Sequence, residues 1–135
     1  MKKKLGEAKF ILVHHSACQS RSYHYRISTS GDRITNAVET NRVQHAKSIE
    51  IAIEGSFENT SPSSTQIDAL KHLILEIKQR YPNILVGGHR QVRGDSTTCP
   101  GRKFPLNELL NWSKTGLIEA RDAALETDVE RQYRP

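Results

Sequence analysis

Three side chains in this sequence combine metal-ligating chemistry with a placement that could aim it at one point. His14 sits near the end of an apolar run, residues 9–15. His89 follows a second apolar run, 84–86, across the exit Gly87-Gly88, and Cys99 lies ten residues later in a loop that closes on Pro100 and Gly101. Imidazole nitrogen and thiolate sulfur are donors that zinc takes in a tetrahedron, and three protein ligands leave the fourth position for water. Zinc held in this way lowers the pKa of its water to about 7 and polarises a carbonyl, which is the chemistry of amide hydrolysis near neutral pH. Spacing alone leaves a plainer alternative open. A histidine at a strand end is commonly a hydrogen-bonded structural residue and an isolated cysteine a small core hydrophobe, and neither C-x-x-C nor H-E-x-x-H occurs here.

The elements that must position these residues are legible from periodicity. Residues 9–15 carry apolar side chains in both alternation phases, as in a strand covered on both faces. Residues 23–27 alternate and stop at Ser30-Gly31-Asp32, a turn signal after which 33–35 can pair back as a hairpin. Residues 48–53 read as another strand closed by Gly55, and 84–86 as a buried strand. A helix starts near Ser63, which has capping-box spacing to Gln66. Its stripe Ile67, Leu70, Leu73, Ile74, Ile77 and Tyr81 holds one face until Pro82 stops it. Residues 105–112 read as a short helix, and from Ser113 the sparse apolar residues suggest a helical or partly disordered tail. The expectation is one α/β domain over 1–112, a central mixed sheet flanked by helices, followed by that tail at 113–135.

The 135 residues are enough for a single domain with a core and a cleft. Hydrophobic residues at 36% and charged residues at 26% match a soluble globular chain rather than a disordered or membrane one. The net charge of +5 favours an anionic partner. The basic residues are scattered, without the dense cluster or interleaved aromatics of a nucleic-acid surface, so neither a nucleic acid nor a membrane is the expected partner. Met1-Lys2-Lys3-Lys4 imitates the start of an export signal, but Gly6, Glu7 and Lys9 interrupt the apolar stretch that should follow. The expectation is cytoplasmic synthesis without a signal peptide, and with it reduced thiols at Cys18 and Cys99.

The strings "ILVHHSA", "YHYRIS", "SIEIAIEGSF", "STQIDALKHLI" and "GHRQVRGDSTTCPGRKFP" stand in an order that resembles the amidase type 2 family over roughly residues 9 to 112. That family includes phage amidase lysozymes, bacterial wall and recycling amidases, and peptidoglycan recognition proteins. The resemblance implies an N-acetylmuramoyl-L-alanine amidase that hydrolyses the bond between N-acetylmuramic acid and L-alanine, with peptidoglycan or a muropeptide as partner. It implies Zn2+ held by His14, His89 and Cys99, with His15 behind them or in the core. Tyr23 falls on a family tyrosine that orients the water or the substrate carbonyl, and Thr97 on a position carrying lysine or threonine in active members.

In relatives that use a mid-strand glutamate, the aligned position here is Ala52, so the chain resembles the tyrosine class, and neither Glu50 nor Glu54 is assigned a catalytic role. His45 matches a histidine that lies near the cleft in many relatives, and His24 neighbours Tyr23 on the opposite strand face by alternation. Cys18 is read as a thiol outside the ligand set, because a fourth protein ligand would close the site. Relatives place a helix where only residues 16–22 intervene here, and the loop before Ser48 is cut to Lys47, so one cleft wall is reduced. Grip on substrate then falls more heavily on Arg90, Arg93 or Arg102. An active amidase is the leading reading, and a phage lysin released to the wall or a recycling enzyme both fit it. A peptidoglycan-binding module without turnover is the alternative, and a structural zinc protein or nucleic-acid binder the third class.

Overall fold

A computed structural model describes residues 8–18 and 22–121, with 115–121 described by their backbone alone. Five strands form one sheet: β1 (Phe10–His15), β2 (Tyr25–Ile27), β3 (Arg33–Thr35), β4 (Ser48–Ile53) and β5 (Leu85–Gly88). Their order is β3-β2-β4-β1-β5. β1 runs parallel to both β4 and β5, β2 parallel to β4, and β3 antiparallel to β2. The sheet is therefore mixed, as the sequence predicts. Two helices accompany it, α1 (Ser64–Arg80) and α2 (Leu106–Arg121).

Alternation divides β1 and β4 between two environments. Ile11 and Val13 of β1 and Ile49, Ile51 and Ile53 of β4 join Leu70, Leu73, Ile74 and Ile77 of α1 and Leu106 and Leu109 of α2 in one buried cluster. Fully burying a side chain of this size contributes about 1.5–3 kcal/mol, so these residues lock the strands' facing. The other phase, Leu12 and His14 of β1 with Glu50 and Ala52 of β4, must then point to the opposite face. All four are buried.

α1 begins as its sequence dictates. The Ser63 hydroxyl accepts from Gln66 N at 3.1 Å, and the Gln66 side chain accepts from Ser63 N at 3.2 Å. Gln66 also donates to Ser28 O and Glu54 O, tying the helix start to the hairpin and to the end of β4. The helix stops at Tyr81, directly before Pro82.

Three expectations need correction. β5 is not the buried strand expected: it is an edge strand, and Leu85 is 62% exposed. The hairpin's first strand begins at Tyr25, which leaves Tyr23 two residues ahead of it. The helix expected over 105–112 continues as one element to Arg121, running through Gly116 with no proline to stop it. The remainder of the tail, 122–135, and the lysine-rich start, 1–7, lie outside the described residues.

Candidate metal centre

Parallel register brings the two histidines together. Val13 pairs with Gly88 across β1 and β5, so the residue that follows each is a histidine, His14 within β1 and His89 directly after β5. Their ring centroids lie 4.8 Å apart. Gly88 is required there, since a Cβ would come within 2.8 Å of Leu106 Cδ2 and 3.0 Å of Pro100 Cδ. That close approach carries the loop with Cys99 and the start of α2 onto the strand end. Cys99 is fixed in turn: its carbonyl accepts from Arg90 N at 2.8 Å, and its amide donates to the Thr97 hydroxyl at 3.1 Å. The Arg90 guanidinium braces the same loop by donating to Gly101 O at 3.0 Å.

Four donor atoms converge. His14, Cys18, His89 and Cys99 each offer one ligand atom, and all lie within 4.8 Å of one another. Cys99 Sγ is 3.6 Å from His14 Nδ1, and Cys18 Sγ is 3.4 Å from His89 Nδ1. Both imidazoles thus turn Nδ1 inward, and both have Nε2 engaged by a carboxylate. His14 Nε2 donates to Glu50 Oε1 at 2.8 Å, and His89 Nε2 donates to Asp95 Oδ2 at 2.9 Å. A carboxylate on the outward nitrogen fixes the tautomer and leaves the inward one as a lone pair, the arrangement found around metal-binding histidines. The donor set suits a borderline-soft cation such as zinc.

The three residues expected as ligands therefore meet, and the cysteine set apart from them meets them too. Cys18 reaches the cluster through a turn that follows β1. Ser16 N and Ala17 N donate to Ile53 O and Gly55 O, and Cys18 N donates to His15 O at 3.0 Å, which folds the chain back over His14.

The carboxylate under the site is that of Glu50, to which the sequence assigns no catalytic role. Glu50 is fully buried and accepts from His14 Nε2, from His45 Nδ1 at 2.9 Å and from His45 N at 2.7 Å. Burial alone would raise its pKa, but the bonds from His14 and His45 outweigh that and hold it below the usual carboxylate value. The signal available was a glutamate inside an otherwise apolar strand, since a buried charge demands a partner. His45 spans Glu50 and Asp95, its Nε2 lying 2.9 Å from Asp95 Oδ2. Burial lowers its pKa, but the two carboxylates more than compensate and leave it raised, consistent with an imidazolium donating at both nitrogens.

His14 titrates in the opposite sense. Burial pushes it below the ordinary imidazole value against the upward pull of Glu50, keeping it neutral as a ligand must be. Burial likewise pushes the Cys99 thiol well above its usual range.

Tyr23 is buried, with its ring centroid 5.1 Å from that of His14. Burial, with Cys18, Cys99 and Glu50 nearby, drives its phenol far above its ordinary pKa, so the hydroxyl keeps its proton. His24 does not face the site. It is fully buried, accepts from Glu50 N at Nδ1 and donates from Nε2 to Asn41 O. His15 likewise faces away, accepting from Phe57 N. An open cleft of about 850 Å3 adjoins the cluster, lined by His15, Ala17, Cys18, Ser56, Glu58, His89, Ser96, Thr97 and Thr98. Of the basic residues expected to grip substrate, Arg90 is turned to bracing, Arg102 stands at Glu58 beside the cleft, and Arg93 lines a separate groove along β1 and β5.

A mixed sheet with a His/Cys cluster that could hold a metal ion beyond the carboxyl ends of its central parallel strands defines an α/β protein with a candidate metal site. Residues 4–102 match the family described as N-acetylmuramoyl-L-alanine amidase, and the chain belongs to that family. No curated protein matches it. The fold is that of the N-acetylmuramoyl-L-alanine amidase LysC from Clostridium intestinale, at 23% identity and a TM-score of 0.73, covering 86% of this chain and 90% of that one. Drosophila PGRP-LB is similar at 22% identity and a TM-score of 0.70, covering 83% and 85%. Peptidoglycan recognition protein-LE, solved in complex with tracheal cytotoxin, a monomeric diaminopimelic acid-type peptidoglycan, gives 16% identity and a TM-score of 0.72, covering 83% and 85%.

Proposed function

We propose that this protein is a zinc-dependent N-acetylmuramoyl-L-alanine amidase, cutting the bond between N-acetylmuramic acid and L-alanine. The observation that carries this reading is the convergence of His14 Nδ1, His89 Nδ1 and Cys99 Sγ, with the buried ring of Tyr23 5.1 Å from that of His14. Zinc, when bound, supplies Lewis acidity to the scissile carbonyl and acidity to a water.

The chain's own residues do the rest. Glu50 and Asp95 hold the two imidazoles with Nδ1 inward, and Thr97 orients the Cys99 backbone. Tyr23 serves as a donor to the oxygen on which negative charge develops, which is where a fixed hydrogen bond accelerates acyl transfer most. The hydroxyls of Ser56, Ser96 and Thr97 offer the cleft polar contacts for sugar or peptide amides. The family membership and the fold it shares with LysC support the reaction, and the fold shared with the recognition proteins supports a peptidoglycan fragment as its substrate.

A second reading, peptidoglycan binding without turnover, is favoured by one observation, the fourth donor at Cys18. Synthesis in the cytoplasm, with release to the wall as a phage lysin or use in recycling, completes the proposal. Zinc-loaded protein should be incubated with purified sacculi and with soluble muropeptides, and the products analysed by mass. Free stem peptides with an L-alanine amino terminus are the expected result. Stoichiometric zinc with no such product from either substrate would leave the binding-module reading.

A further inference from the structure

We propose that Cys18 is a fourth ligand of the metal centre, so that the resting site is closed by protein and opens only when this thiolate leaves. The proposal rests on the zinc reading above and concerns the regulation of that same site.

Geometry carries it. Zinc bonds of about 2.0–2.1 Å to nitrogen and about 2.3 Å to sulfur, at the tetrahedral angle, separate a nitrogen and a sulfur ligand by about 3.6 Å. Cys99 Sγ lies 3.6 Å from His14 Nδ1, and Cys18 Sγ 3.4 Å from His89 Nδ1. The two thiol–imidazole pairs thus agree within 0.2 Å of each other and of the spacing around a shared tetrahedral cation. Nothing in those distances separates Cys18 from the three residues that the family pattern picks out.

Backbone structure makes the position a built one. Ser16 N and Ala17 N are anchored on Ile53 O and Gly55 O, and the Cys18 N to His15 O bond closes the turn that aims the side chain back at His14. The other three ligands stand on the end of β1, directly after β5 and in a loop braced by Arg90. Cys18 follows β1 outside any strand or helix, is only partly buried and lines the open cleft. It is the ligand best placed to depart without disturbing the sheet.

A centre with four protein ligands has no position for water, whereas three leave one open. Departure of Cys18, protonated by solvent to the thiol, converts the first kind of site into the second. Alkylation of the departed thiol would hold the centre open.

The test uses the full chain loaded with Co2+, whose thiolate charge-transfer absorption scales with the number of bound sulfurs. At one cobalt per chain, Cys18→Ser should lose about half of the wild-type intensity, one of two thiolates. Wild-type intensity in Cys18→Ser overturns the proposal.

The unmutated protein gives an independent readout. In the zinc-loaded chain Cys18 should resist N-ethylmaleimide, as located by peptide mass mapping. A chelator should speed its modification by about tenfold or more, since a metal-bound thiolate is withheld from reaction. Equal rates with and without chelator overturn the proposal.

Turnover separates this inference from the amidase reading. Two-thiolate absorption with no amide cleavage by wild type or Cys18→Ser leaves the fourth ligand standing and defeats the amidase. Cleavage by a centre with one-thiolate absorption does the reverse. If both hold, Cys18→Ser turns over faster than wild type at saturating zinc.

Discussion

His14 Nε2 and Glu50 Oε1 lie 2.8 Å apart, both fully buried, on adjacent parallel strands. This contact decides which nitrogen of His14 faces the cluster. Without it the ring would be free to take the other tautomer and present Nδ1–H, a proton where a lone pair is needed. Glu50→Gln keeps the shape but offers an amide in place of a carboxylate. Metal affinity should fall by about 10–100-fold, the usual cost of losing a carboxylate behind a metal-bound histidine. Competition with a chromophoric zinc chelator measures it, and circular dichroism checks the fold. Unchanged affinity would remove Glu50 from this role.

Direct loss of a ligand should cost more. His14→Ala or Cys99→Ser should abolish stoichiometric zinc at micromolar protein, as read by metal analysis after gel filtration. Full zinc content in both variants would show that the metal sits elsewhere.

Tyr23→Phe removes one hydroxyl beside His14 and leaves the ring packing in place. The fold and zinc content should persist while kcat falls by about 10²-fold or more, the scale of losing one donor to a developing oxyanion. KM should change little, because the bond matters in the transition state rather than in the bound substrate. Equal kcat in the variant and the wild type would take Tyr23 out of the reaction.

Stability of the metal-free protein should depend on pH through two histidines of opposite sign. Burial, outweighing the pull of Glu50, lowers His14 below its unfolded pKa, so the unfolded chain takes up that proton first. Its contribution is intact above about pH 6.5 and is lost as pH falls below that value. His45 is raised, Asp95 and Glu50 outweighing burial, and contributes stability present below about pH 6.5 that is lost as pH rises through its folded value. His45→Asn deletes the second effect and leaves the first. Above about pH 6.5 the wild type should therefore lose unfolding free energy as pH rises through the raised folded value of His45, by at most about 1.4 kcal/mol per pH unit for one proton, and the variant should lose none through this group. Denaturant midpoints at several pH values test this, and parallel slopes would refute it.

Gly88→Ala should be costly although glycine here is not in a left-handed conformation. The new methyl would meet Leu106 and Pro100 at 2.8 and 3.0 Å, forcing apart α2, the Cys99 loop and the edge strand. A loss of about 1–3 kcal/mol by thermal or denaturant unfolding is expected for such overpacking. Zinc affinity should fall with it, because His89 is the next residue.

Much of this molecule was legible in its sequence because the signals are local. β4 covers the residues 48–53 read from apolar runs, and α1 lies between the predicted Ser63–Gln66 capping box and the Pro82 stop. The meeting of His14, His89 and Cys99 followed from an ordered motif whose residues end or follow strands, so that sheet pairing alone brings the first two together. What only the tertiary structure decided lies in contacts across long stretches of chain. Cys18 meets His89 across 71 residues, and Glu50 meets His14 across 36. Arg90, expected to reach for substrate, bends back to Gly101. Periodicity reports which face of a strand is buried, but not which strand lies beside it or where a turn returns the chain. In this mixed sheet both depend on the order β3-β2-β4-β1-β5, which arises only as the central strands and the two helices close one buried cluster.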